Sequence, residues 1–240
     1  MKKLKFLVVG IATSALLMSP TILRAEIVGS PHDFSLEAWN NRSADPASVC
    51  GTCHQPHHAD SSVVPLWIHT TSTTVFTMYN TNTVTGSHLN ATPDTTVGGV
   101  SRACLSCHDG TVAVNSYSGG IQGSVGSKFI TNSASLGTDL THTHPISFTY
   151  DAALVAADGF LRDTSTSVLQ PDTGTFNTGT NTSIASVLLN GGNRVECSSC
   201  HDVHNQIGTP FNISSNPKLV KIVGTQSGKG SLLCRSCHIK

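Results

Sequence analysis

Cys50-Gly-Thr-Cys53-His54, Cys104-Leu-Ser-Cys107-His108, Cys197-Ser-Ser-Cys200-His201 and Cys234-Arg-Ser-Cys237-His238 are one motif written four times. Each is C-x-x-C-H, the attachment spacing of c-type haem. Two thiols three residues apart on one turn face the same edge of a macrocycle and add across its vinyl groups as thioethers. The adjacent histidine then reaches the iron from that side. The four copies consume all eight cysteines, so four haem c groups are expected, with Cys50, Cys53, Cys104, Cys107, Cys197, Cys200, Cys234 and Cys237 as covalent anchors. His54, His108, His201 and His238 are the expected proximal iron ligands. A disulfide framework gives no reason for a histidine after every second cysteine. A redox C-x-x-C site usually occurs once, near a βαβ pattern. Zinc is the alternative, because Cys and His are its usual ligands.

The chain opens Met1-Lys-Lys-Leu-Lys5, runs apolar from Phe6 to about Met18, and reaches a small residue at Ala25. This is a charged n-region, an h-region and a cleavage site. Residues 1–25 are read as a cleaved export signal, and the apolar stretch is too short and interrupted for a membrane span. The mature unit, residues 26–240, is then a single tetrahaem domain with no span, placed outside the cell or at its surface, or else in the periplasm. Cleavage removes Lys2, Lys3, Lys5 and Arg24 and no acids, so the formal charge moves from 0 to −4. That balance argues against nucleic acid as a partner.

Charged residues make up 12% of the chain, against about 25% in ordinary globular proteins. Ser, Thr, Asn and Gly fill the gap, so large apolar side chains are scarce and a protein-only core would be thin. Four large, mostly apolar plates change that arithmetic. The expected fold is mostly coil with short helices and a few short strands, organised around a stack of four haems, with an apoprotein that is largely unfolded. The patterned islands are few. Pro145–Tyr150 alternates apolar and polar, as a half-buried strand does. Val75–Tyr79 and Leu219–Val223 are further strand candidates, and Asp151–Ala157 suits a turn or two of helix. Thr81–Val100 and Gly119–Gly137 read as loops. In sequence the motifs fall into two close pairs, one with two and three with four. Four N-x-S/T sequons begin at Asn41, Asn90, Asn181 and Asn212, and the sequence does not decide whether any carries sugar.

Each iron also needs a second axial ligand. Met78 is the sole methionine after the signal, whereas eight histidines lie outside the motifs: His32, His57, His58, His69, His88, His142, His144 and His204. Bis-histidine ligation at all four irons follows, with low potentials. His57 follows His54 by three, and His204 follows His201 by three. Residues three apart share a face of a turn and cannot reach opposite faces of one planar macrocycle. His57 and His204 are therefore expected to ligate the iron of a different haem. His144 precedes Pro145, which fixes the backbone where the ligand is mounted, and is preferred to its rival His142. His58 and His88 are expected to face solvent. Asp109 and Asp202, directly after motif histidines, are expected to orient them by hydrogen bonding.

The series Ser30-Pro-His-Asp-Phe34, Cys50-Gly-Thr-Cys-His-Gln-Pro-His-His58, Pro65-Leu-Trp67, Cys104-Leu-Ser-Cys-His-Asp-Gly-Thr-Val-Ala113, His144-Pro-Ile-Ser-Phe148, Cys197-Ser-Ser-Cys-His-Asp-Val-His204 and Cys234-Arg-Ser-Cys-His238 spans nearly the whole mature chain. It resembles the exported tetrahaem cytochromes of metal-reducing prokaryotes, including the OmcE-type that polymerise into extracellular nanowires. The resemblance implies a mostly coil fold, haems stacked in alternating parallel and T-shaped pairs, and one distal histidine donated by a neighbouring subunit. It also implies His32, His57, His144 and His204 as the distal ligands, with His69 a doubtful fifth. Near a chain end and far from every motif, His32 is the expected donor in trans. The function expected is electron transfer in a surface homopolymer that meets redox partner proteins. The alternatives are a discrete periplasmic tetrahaem shuttle and, below it, a multihaem reductase. No catalytic residue is expected, because histidines outnumber irons.

Overall fold

The computed structural model describes residues 27–40, 48–60, 63–80, 82, 84–86, 88–170, 182–204, 218–224 and 230–239. The segment read as an export signal and the sequons at Asn41, Asn181 and Asn212 lie outside them. Most of the described chain is coil, carrying short helices and two small sheets. The helices are α1 (Ser48–Gly51), α2 (Gly99–His108), α3 (Ala152–Asp158), α4 (Ile184–Val187), α5 (Cys197–Cys200) and α6 (Leu232–Cys237). Strands β1 (Ser116–Tyr117) and β2 (Gly120–Ile121) form one antiparallel hairpin. Strands β3 (Phe148–Thr149) and β4 (Arg194–Val195) form the other sheet, pairing Phe148 with Val195 and Thr149 with Arg194. Among the described residues no helix is long and apolar enough to cross a membrane.

Local chemistry accounts for the elements. Asp151 caps α3, its carboxylate accepting from the Leu154 N–H at 2.9 Å, and Gly159 closes the helix at φ 73°. A side-chain cap at the start and a left-handed glycine at the end satisfy the exposed backbone groups of a short helix. Helix α5 is a single turn held by a capping box between Glu196 and Ser199. The Pro145–Tyr150 island yields β3, with Phe148 and Tyr150 buried and Thr149 exposed, as the alternation requires. Val75–Tyr79 and Leu219–Val223 form only isolated bridges, Thr77 to Asp139 and Val220 to His201. Their apolar residues Phe76, Met78, Leu219 and Ile222 are buried all the same. The β1–β2 hairpin lies partly inside the stretch read as loop. Its two-residue connection, Ser118-Gly119, has φ of 52° and 86°. A primed hairpin turn needs positive φ at both positions, and Ser-Gly is a weak sequence signal for one.

Protein packing is divided among three small clusters. The largest joins Phe148, Tyr150, Leu154, Ile184, Leu188, Val195 and Leu232, from β3, α3, α4, β4 and α6. The second holds Phe76, Met78, Val97, Leu105 and Leu140. The third holds Trp39, Ile68, Val114 and Tyr117. Helix α2 packs against α5, so the second and third motifs, far apart in sequence, meet in space.

Candidate functional site

Every motif occupies one helical turn closed in the same way. The histidine N–H bonds the carbonyl of the first cysteine: His54 to Cys50 at 2.8 Å, His201 to Cys197 at 3.0 Å and His238 to Cys234 at 2.9 Å. In the second motif the turn is the C-terminal end of α2. Both sulfurs and the histidine of each motif therefore leave from one short, rigid platform.

The cysteines of successive motifs are neighbours. Cys53 adjoins Cys107, Cys104 adjoins Cys197, and Cys200 adjoins Cys237. The cysteines of each motif thus adjoin those of the next in chain order, the second and third motifs included. Burial pushes the Cys53 thiol up to about 11 and the Cys237 thiol up to about 12. Unalkylated, these sulfurs are poor nucleophiles in the folded chain, since the thiolate is the reactive form.

The histidines meet in twos. His32 faces His108 with ring centroids 6.0 Å apart, His204 faces His54 at 6.1 Å, and His144 faces His238 at 6.3 Å. Each couple joins one motif histidine to one from elsewhere. Two imidazoles bound through ring nitrogens to one metal ion at about 2 Å each place their centroids roughly 6 Å apart. Among the described residues no ring contact joins His57 or His201 to another histidine, and both are exposed. Within the single chain His32 sits against the second motif. Asp33 accepts from Gly29 N–H at 2.7 Å and Ser35 N–H at 3.1 Å. Phe34, Trp39 and Tyr117 stack in series behind it, and Tyr117 Oη donates to Asn40 at 3.1 Å.

The second ring nitrogen is tied down at backbone carbonyls. Nδ1 of His54 meets Pro65 O at 2.9 Å, that of His108 meets Ala134 O at 2.8 Å, that of His201 meets Lys218 O at 2.7 Å, and that of His144 meets Pro145 O at 2.8 Å. A carbonyl on Nδ1 fixes the tautomer and leaves Nε2 bare for a metal. Asp109 bonds Ser72 and Thr111, and Asp202 accepts the His204 N–H at 3.0 Å. Sequence reasoning missed the carbonyls because a backbone acceptor leaves no residue-type signal.

Burial holds His32 at about 4, with the charges of His108, His201 and His204 adding to it. Burial also lowers His204, with His54 adding to the effect and Asp202 opposing it. Both are therefore neutral near pH 7, the form that binds metal. His69 differs. It is 3% exposed, and its nitrogens lie 2.9 Å from Thr70 O and 3.1 Å from Ala113 O. Its ring packs on Trp67, which packs edge-on against His54. His142 is exposed beside Asp139, while His144 takes the place facing His238. His58 and His88 are exposed.

Two buried polar atoms adjoin these couples without a protein partner: Nδ1 of His32 and Nε1 of Trp67. Buried donors are costly unless bonded, and a bound group carrying carboxylates at its rim is the kind of partner they lack. The residues present fit haem c: paired thiols on one turn, paired neutral imidazoles across a gap, and orphan donors beside them. Comparison with known protein families finds no family model that matches the chain, and comparison with curated proteins finds no match.

Proposed function

We propose that this chain transfers electrons through four covalently bound c-type haems held between histidines, and that copies of it join end to end into a filament carrying electrons to external acceptors. The observation that carries the reading is the set of three histidine couples, each pairing a C-x-x-C-H histidine with a distant one at 6.0–6.3 Å. When bound, the group supplies a one-electron iron couple whose potential its axial ligands and surroundings set. The chain's own residues do the rest. The paired cysteines would anchor the group, and His32–His108, His204–His54 and His144–His238 would hold three irons. The line of neighbouring cysteines supports a continuous row in chain order.

The remainder supports polymerisation. One motif histidine, His201, and one expected distal ligand, His57, are left over, and both face outward. Within the chain His204 faces His54, and among the described residues no ring contact joins His57 to His201. We infer that His57 of one subunit completes the site of His201 in the next. In an isolated monomer the same gap is an open coordination position, which is what a reductase needs.

Negative-stain microscopy of protein sheared from cells separates the readings. Wild type should give filaments of regular repeat, and His57→Ala should give short particles with three six-coordinate haems and one that binds carbon monoxide. Monodisperse wild-type particles with four six-coordinate haems would support a shuttle. Monodisperse particles that bind carbon monoxide and reduce nitrite would support an enzyme.

A further inference from the structure

Two carboxylates are buried among the described residues, Asp109 and Glu196, at 4% and 6% exposure. Both bear on the helix that carries the second motif. Asp109 is the C-cap of α2, directly after His108. It accepts from the Ser72 hydroxyl at 2.5 Å and from the Thr111 N–H at 2.7 Å. Glu196 lies against the first turn of the same helix, accepting from the Ser101 hydroxyl, and Ser101 in turn accepts the Cys197 N–H at 3.0 Å. Hydroxyls satisfy a carboxylate without cancelling its charge. Arg194 Nε stands 3.6 Å from Glu196 but also pairs with Asp94. Arg102 turns its Nε to the Ser72 carbonyl rather than to Asp109.

A third term adds to these. Helix α2 has ten residues, whereas α1, α5 and α6 have four, four and six. Among the described residues, His108 thus leaves from the negative end of the longest motif-bearing helix.

We propose that Asp109, with Glu196 and the α2 dipole, makes the second haem the lowest-potential member of the row. Negative charge in a poorly solvated site favours the ferric over the ferrous state, because reduction removes one positive charge. Asp109 and Glu196 are positioning residues for the electron, not ligands. Each subunit then contains an internal step: the second haem stays oxidised while the other three fill.

This rests on the haem reading, and haem content is measured first by the pyridine haemochromogen. Absence of haem c would end that reading, whereas four haems per chain leave the present inference open to its own test. Spectroelectrochemical titration of the full chain is then run on wild type, His32→Met, Asp109→Asn and Asp109→Glu. A methionine ligand raises a haem's potential, so His32→Met should remove the lowest-potential step. Asp109→Asn should shift that same step positive and leave the other three in place, and Asp109→Glu should restore it. If His32→Met instead removes a higher step, or if Asp109→Asn with four haems leaves the lowest step unmoved, the inference is overturned. Should Asp109→Asn fail to load haem, the wild type and His32→Met pair decides.

Discussion

Imidazole has two nitrogens, and a histidine is a directed ligand when one of them is already occupied. That condition is met at His54, His108, His144 and His201, each with Nδ1 on a backbone carbonyl. It is not met at His69, whose nitrogens both lie at carbonyls. The choice between His144 and His142 is testable at this scale. His144→Ala should convert one haem in four to a high-spin, carbon-monoxide-binding form by electron paramagnetic resonance, and His142→Ala should leave all four low-spin. Asp33 is a second residue with a clear sign. Hydrogen bonds from Ser35 and Gly29 hold its carboxyl below the usual carboxylate range, against the opposing effect of burial. Its contribution is therefore complete above the ordinary carboxylate pKa and is lost as pH falls through the lowered value. Asp33→Ala should destabilise the His32 turn by about 1 kcal/mol at pH 7. The gap between mutant and wild type should close in strong acid, read by denaturant melts followed at a haem band. The motif residues were legible from spacing alone. The three couples were not, because no sequence period links residues 76, 94 or 150 positions apart.

At the scale of elements, the loops are clasps. After the first motif the chain returns so that Gln55 N–H bonds Leu66 O at 2.9 Å and Ile68 N–H bonds Cys53 O at 3.0 Å. After the second, Leu136 N–H bonds His108 O at 2.7 Å, and after the third, Lys221 N–H bonds Cys200 O at 2.8 Å. These returns deliver the carbonyls of Pro65, Ala134 and Lys218 to the motif rings. Polar, period-free sequence reads as loop, and coil is what the clasps are. The hydrogen bonds that give them their task belong to backbone, so composition hides them. Gly123 shows how tight one such contact is. A Cβ there would lie 2.7 Å from the Trp39 carbonyl oxygen, at φ +76°. Gly123→Ala should cost about 1–3 kcal/mol and displace the Trp39–Phe34–His32 series. The expected readout is a lower melting temperature with one loosened haem band, while Gly126→Ala, with open space around its Cβ, keeps the His32 haem intact.

For the whole molecule, the three clusters of protein packing are small, and a chain with 5% aromatic residues has little else to pack with. The coarse fold, mostly coil with short helices, was legible because so few stretches carry helix or strand periodicity. Which segments meet was not, since α2 and α5 are joined through serines and paired cysteines rather than through an apolar pattern. If the cofactors complete the core, haem-free chain should show no cooperative thermal transition by circular dichroism, while the loaded protein melts cooperatively. Within the protein-only packing, Leu232→Ala in the largest cluster should cost about 2–5 kcal/mol. All of this depends on what the eight sulfurs hold. Intact mass spectrometry of the purified protein reads that directly. The expected mass is that of the mature chain plus four haems, with no thiol left to alkylate. A mass equal to the bare chain with eight alkylatable thiols, or lower by two hydrogens for each pair of cysteines, would contradict it.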